Sequence, residues 1–134
     1  MNRYLLDTNA CIAWLKNDKP VVRRVVLAGE GNIFLCAPVK AELWFGACKS
    51  RRVTENQERL QQFFDDLPSL PFDDASVRHF GEIRAALARQ GKPIGPYDLQ
   101  IAAIALAHNL TVITDNAGEF SRVPGLTTEN WQRG

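Results

Sequence analysis

The sequence predicts an α/β fold, with a mostly parallel central sheet flanked by helices. Three observations predict it. Short apolar runs of strand length alternate with longer segments of helical period along the chain. Caps and breakers such as Gly29, Gly91, Pro93 and Pro96 punctuate those segments. No repeat, low-complexity tract or linker interrupts the alternation, so residues 1–134 read as one domain. Strands that alternate with helices in this way favour crossover connections and parallel pairing.

The elements follow in order. Residues 3–6 read as a strand, and residues 8–16 as a helix stopped by Asn17-Asp18-Lys19-Pro20. Residues 21–28 make a second, short helix ended by Gly29 and Gly31, and residues 33–36 a second strand. Pro38 suits a first helical position, where its missing N–H costs nothing, and residues 39–50 continue that helix. Thr54 and Gln57 have the spacing of a capping box, so residues 54–67 are expected to be helical. Residues 70–72 form a third strand and residues 74–90 an amphipathic helix ended by Gly91 and Pro93. Residues 96–109 form another helix, and residues 111–114 and 126–128 complete the strands.

The bulk properties exclude several classes. With 134 residues, 46% hydrophobic and 23% charged, the chain is globular and can bury a core without disulfides or structural metal. Cys11, Cys36 and Cys48 are odd in number, lack Cys-x-x-Cys spacing and sit in apolar stretches. They read as reduced core residues of a cytoplasmic protein. Tyr4-Leu5-Leu6 ends at Asp7, too short for a signal-peptide core or a membrane span. The formal net charge of +1 supplies no bulk attraction for nucleic acid, so any RNA-binding surface must be local.

Four acids sit oddly. Asp7 directly follows the first strand, at the carboxyl edge where α/β sheets build their sites; helix capping is its alternative use. Glu42 shares a helical arc of roughly 140° with Val39, Leu43, Gly46 and Ala47, where a carboxylate is costly unless paired or bound to a cation. Asp98 lies on the face of Ile101, Ala102 and Ala105, after the turn-rich Gly91-Lys92-Pro93-Ile94-Gly95-Pro96; its alternative use is to complement the helix dipole. Asp115 follows the strand ending at Thr114, with Asn116 and Glu119 close behind, and turn formation is the alternative there.

In an α/β fold these positions can converge. Carboxylates brought together repel, and their pKa values rise unless a cation neutralises them. Oxygen-only ligands point to Mg²⁺ or Mn²⁺, and the two histidines, His79 and His108, offer no zinc spacing. A carboxylate-held Mg²⁺ suits phosphodiester hydrolysis. The chain has no P-loop, no Gly-x-Gly-x-x-Gly and no Gly-x-Ser-x-Gly elbow.

These residues resemble a known family. Tyr4-Leu5-Leu6-Asp7-Thr8-Asn9 is similar to the opening strand and first acid of PIN-domain nucleases. Ala41-Glu42-Leu43-Trp44-Phe45-Gly46-Ala47 is similar to the second acid and its glycine, and Ile94-Gly95-Pro96-Tyr97-Asp98-Leu99 to the third. Val112-Ile113-Thr114-Asp115-Asn116 through Glu119-Phe120 and Val123-Pro124-Gly125-Leu126 resembles the closing segment. The motifs stand in family order over nearly the whole chain, and the Ile-Gly-Pro-x-Asp stretch resembles the VapC toxin branch.

The resemblance implies an endoribonuclease using Mg²⁺ or Mn²⁺, with a cleavage preference such as the anticodon loop of initiator tRNA. It also implies a VapB-type antitoxin that blocks the site, a homodimer, and a larger complex with antitoxin that meets operator DNA through the antitoxin. Within the motifs, Asp7 and Asp98 match the principal metal ligands and Glu42 the acid beside them. Glu119, with Asp115 close behind, fits the fourth slot. Asn9, Thr114 and Asn116 are candidates for orienting carboxylates or water. Lys49, Arg51 and Arg52 after the Glu42 helix, and Arg89 and Lys92 before the Asp98 helix, are candidate phosphate contacts; Tyr97 is a candidate base stack. Ordinary solvated charge is their alternative reading. Trp14, Trp44 and Phe45 are core residues or the lining of an antitoxin groove.

Two other classes stand beside this one. An inactive PIN-like binding module would carry the same fold. A receiver-like Mg²⁺-binding signalling domain also places acids at a sheet edge, but Asp7 has no adjacent acid and no lysine follows Lys92.

Overall fold

A computed structural model describes residues 2–132. Its elements run β1 (Tyr4–Leu6), α1 (Thr8–Leu15), α2 (Lys19–Ala28), a 3₁₀ turn (Glu30–Asn32), β2 (Ile33–Cys36), α3 (Ala37–Cys48), α4 (Val53–Asp66), β3 (Ser69–Leu70), α5 (Asp74–Arg89), α6 (Pro96–His108), β4 (Thr111–Ile113), α7 (Ala117–Phe120) and β5 (Thr128–Glu129). The strands form a five-stranded sheet in the order β3-β2-β1-β4-β5, and every pairing is parallel. The α/β expectation with a mostly parallel sheet therefore holds.

Chemistry explains the central strands. A parallel strand covered on both faces needs a continuous apolar run rather than alternation. Leu5, Leu6, Ile33, Leu35, Val112 and Ile113 supply it and are buried. Helix α6 covers the sheet with Ile101, Ala102, Ala103, Ile104 and Ala105, all fully buried, and packs most extensively against α5. Its alanines let the helix approach closely without creating voids. Asn109, in the left-handed region at φ 56°, ends α6 and turns the chain into β4.

Several local expectations shift. Asn17-Asp18-Lys19-Pro20 does stop α1, with Asn17 at φ 60°, but it also starts α2. Asp18 caps α2 through the Val21 amide, and Pro20 occupies its first turn. The Thr54/Gln57 capping box does not form. Helix α4 begins earlier, at Val53, after Arg52, which provides no side-chain cap; Gln57 Nε2 instead lies 3.7 Å from Cys48 Sγ. The third strand is Ser69–Leu70 rather than residues 70–72, because Pro71 has no N–H to continue the ladder. The last strand is Thr128–Glu129 rather than residues 126–128, because its pairing with Val112 and Ile113 starts beyond the Gly125 turn at φ +80°.

Cys11 and Cys36 are buried and free, as expected, but Cys48 is exposed. It lies on the outer side of the last turn of α3, so its apolar neighbours in sequence are not its neighbours in space. The sequence reading gave Trp131 no role. It is 2% exposed, sets its ring edge against Tyr4 with centroids 5.0 Å apart, and donates from Nε1 to Glu129 Oε1 at 3.0 Å. Among the described residues, no helix is long and apolar enough to cross a membrane.

Candidate active site at the carboxyl edge of the sheet

Asp7 is the first residue past β1, the central strand, and its amide donates to Ile113 O of β4 at 3.0 Å. Its Oδ1 accepts from Ala10 N at 2.8 Å and caps α1, so the helix-capping use is real. Asp7 is only 5% exposed. Burial pushes its pKa up to about 6; a hydrogen bond from Thr114 and the one from the Ala10 amide oppose that rise, and the charges of Asp115 and Glu42 add to it.

Glu42 lies on α3, with Leu43 and Ala47 buried beside it. Thr8, on the first turn of α1, donates from Oγ1 to Glu42 Oε1 at 2.7 Å. This bond joins the residue after Asp7 to the second acid across two helices. Thr8 received no role from sequence, although its place next to Asp7 in the strand-end motif was a usable signal.

Asp98 occupies the first turn of α6. Burial first, and then the negative charge of Glu119 and Asp7, push its pKa up to about 7. In its protonated form it donates a hydrogen bond to Glu119. Glu119, on α7, accepts from the Gly95 amide at 2.6 Å and from Asn116 Nδ2 at 2.7 Å, and these donors hold its carboxyl below the usual range. The Asn116 amide donates to Thr114 Oγ1 at 2.9 Å, and Thr114 is 1% exposed. Thr114 and Asn116 therefore link Asp7 to Glu119. Asp115 is exposed but near enough for its charge to act on Asp7. Asn9 is exposed.

The fold thus brings Asp7, Glu42, Asp98 and Glu119 into one electrostatic neighbourhood, with Asp115 at its margin. None of the four takes part in an ion pair among the described residues; the pairs there are Arg24–Glu129, Arg52–Glu55 and His108–Asp73. The donor set fits a hard divalent cation: it is all oxygen, and the charges of neighbouring acids help to raise the pKa of Asp7 and Asp98. Among the described residues no three His, Cys, Asp or Glu form a ready-made cage. Mg²⁺ does not require one, because it is held by one or two carboxylates and keeps several waters.

None of the basic candidates forms an ion pair with the site's acids among the described residues. Lys49 sits over the Phe45 ring at 4.9 Å, Arg52 contacts Glu55 at 3.5 Å, and Arg51, Arg89 and Lys92 are exposed. Tyr97 is 46% exposed, one residue before Asp98. Trp14 and Trp44 are half-buried, against Phe63 and Phe64 of α4, whereas Phe45 is 63% exposed. Beside Glu42 opens an apolar groove of about 500 Å³ between α1, α3 and α4, lined by Thr8, Ile12, Leu15, Leu43 and Leu60, with Arg59 at hand.

The PIN domain profile matches residues 4–126. The chain is 40% identical over 131 residues to the tRNA(fMet)-specific endonuclease VapC of Shigella flexneri, covering 98% of this chain and 99% of that protein. It is 36% identical to Ribonuclease VapC2 of Rickettsia felis, over 97% and 98% of the two chains. Its fold superposes on a chain of the DNA-bound VapBC structure from Salmonella typhimurium with a TM-score of 0.91 at 38% identity, covering 98% and 99% of the chains. These likenesses set the receiver-like alternative aside. With a domain profile spanning four of the five strands and every acid of the site, and relatives matched over nearly their whole length, the chain belongs to the PIN-domain family, in its VapC branch.

Proposed function

We propose that this protein is a divalent-metal-dependent endoribonuclease, the toxin of a toxin–antitoxin pair. The observation that carries the proposal is the cluster of Asp7, Glu42, Asp98 and Glu119 at the carboxyl edge of the sheet, mutually repelling and without an ion-pair partner among the described residues. Asp7, Glu42 and Asp98 would hold the cation, Mg²⁺ or Mn²⁺, with Glu119 or Asp115 as the fourth acid. When bound, that ion supplies charge neutralisation at the scissile phosphate and lowers the pKa of water.

The chain's own groups do the rest. The Thr8 hydroxyl holds Glu42, and the Ala10 amide and Thr114 hold Asp7, so both carboxylates are fixed before substrate arrives. Without the cation, burial and the neighbouring acids push the Asp98 carboxyl up to about 7, so binding the cation at neutral pH would release a proton from it. Lys49, Arg51, Arg52, Arg89 and Lys92 would contact RNA phosphates, and Tyr97 would stack on an unpaired base. Asn9 would orient water beside Asp7.

The substrate we assign is initiator tRNA, after the tRNA(fMet) in the name of the Shigella flexneri relative, with the cut placed in its anticodon loop. A VapB-type antitoxin would lay an apolar segment in the groove between α1, α3 and α4 and so cover Glu42. The active unit would be a cytoplasmic homodimer, one PIN domain per chain, assembled with antitoxin into a larger complex that reaches operator DNA only through the antitoxin.

The test is incubation of antitoxin-free protein with total bacterial tRNA, in Mg²⁺ or EDTA, beside Asp98→Ala. Discrete fragments that require both metal and Asp98 support the reading. Fragments that persist in EDTA or in the variant overturn it, as does a folded wild-type protein that cuts neither tRNA nor ribosomal RNA.

A further inference from the structure

The lead-in to α6 is held from outside rather than by its own sequence. Its N-cap is Gly95, which offers no side chain, and no side-chain cap bond forms there. Packing holds the segment only in part, through Ile94 against the core. Ile94 and Pro96 line a cavity of about 310 Å³ with Phe80, Arg84, Leu87 and Leu99, so the side facing α5 is not filled. Two hydrogen bonds reach across from the α7 segment instead. Glu119 Oε1 accepts from the Gly95 amide at 2.6 Å, and Arg122 Nη1 donates to the Pro93 carbonyl at 2.9 Å.

The position of Asp98 gives this clamp its meaning. With Pro96 as the first helical residue, Asp98 is the third. In a capping box the third residue's acid turns back to bond the N-cap amide. Here Glu119, 24 residues downstream, already occupies that amide. Asp98 is thereby released from capping its own helix and can face the other acids.

We infer that Arg122 is a positioning residue for the nuclease site: by pinning the Pro93 carbonyl beside the Glu119–Gly95 bond, it fixes the start of α6 and, through it, the placement of Asp98. Arg122 is exposed and makes no hydrogen bond or ion pair to Asp7, Glu42 or Asp98 among the described residues; it reaches Asp98 through the Pro93 backbone, and its charge also favours the ionised Glu119 that holds the Gly95 amide, a charge that Arg122→Lys keeps. This inference rests on the nuclease reading for its kinetic consequence, but not for its structural one.

The test compares wild type with Arg122→Met, which keeps the stem and loses the donor, and with Arg122→Lys, which restores one. The first readout is amide hydrogen exchange at residues 94–99 in metal-free protein. The Gly95 amide should exchange about tenfold faster in Arg122→Met and return towards the wild-type rate in Arg122→Lys. The second readout is RNA cleavage, where kcat should fall roughly tenfold or more in Arg122→Met with KM little changed. Arg122→Ala is the second loss variant should the methionine pack against the cavity. Unchanged exchange overturns the clamp. A rise in KM with kcat intact also overturns it and makes Arg122 a phosphate contact. If wild-type protein cuts no RNA, the nuclease reading falls, while the exchange experiment still decides the clamp.

Discussion

Replacing Asp98 with asparagine should stabilise the metal-free protein while destroying its activity. The pKa of Asp98 rises from 3.8 to about 7, because burial and the charges of Glu119 and Asp7 disfavour the carboxylate. A raised acid costs the folded state nothing below the unfolded pKa, where both states hold the proton and stability is highest. Stability is lost as pH climbs from about 4 to about 7, because only the unfolded chain ionises freely in this window. Above pH 7 the folded protein carries the full penalty of a charged Asp98. A rise of roughly three pH units at 1.36 kcal/mol each sets an upper figure of about 4 kcal/mol. Asp98 is partly exposed, and solvent screening reduces this to about 2 kcal/mol. Asparagine keeps the shape and removes the charge. For a chain of this length that gain corresponds to a Tm increase of roughly 5–10 °C. The assay is thermal unfolding followed by circular dichroism in EDTA, at pH 8 and pH 4. The variant should gain at pH 8 and match wild type at pH 4. No gain at pH 8, or an equal gain at both values, refutes the electrostatic reasoning.

Further outcomes follow from the same structure. Thr8→Val removes the hydroxyl that donates to Glu42 Oε1 at 2.7 Å, and should lower cleavage or metal affinity about 10- to 100-fold with unfolding unchanged. A thiol reagent followed by mass spectrometry should label Cys48 in the native protein. It should reach Cys11 and Cys36 only after unfolding, because both are buried and burial raises their thiol pKa, that of Cys36 to about 12. Trp131→Ala should cost about 3–5 kcal/mol in urea unfolding, since it empties a fully packed site against Tyr4.

Much of the fold was legible because the central strands obey one rule. Leu5, Leu6, Ile33, Leu35, Val112 and Ile113 form runs that only a sheet covered on both faces explains. The edge strands were less legible, since β3 and β5 are two residues each and take their limits from register with β2 and β4. Strand order depends on which face each helix covers, and residue pattern does not encode that. The α4 capping box failed because the helix nucleates a residue earlier, at Val53. Cys48 illustrates a related limit: apolar neighbours along the chain say little about burial in the last turn of a helix.

The site divides in the same way. Asp7, Glu42 and Asp98 stood out because each is an acid in an apolar context, and the structure places them within reach of one another's charge. What orients them was hidden, because it is long-range. The Thr8–Glu42 bond spans 34 residues, the Glu119–Gly95 bond 24 and the Arg122–Pro93 bond 29. Two of the three use backbone groups, which carry no residue-type signature at all.

The central claim is that Asp7, Glu42 and Asp98 act together as the seat of a divalent cation. Mn²⁺ binding to antitoxin-free protein, followed by calorimetry or by the paramagnetic signal of the ion, tests it most directly. Wild type should bind, and Asp7→Asn and Asp98→Asn, folded by circular dichroism, should each weaken binding by at least about tenfold. Wild-type affinity retained in both variants would contradict the account.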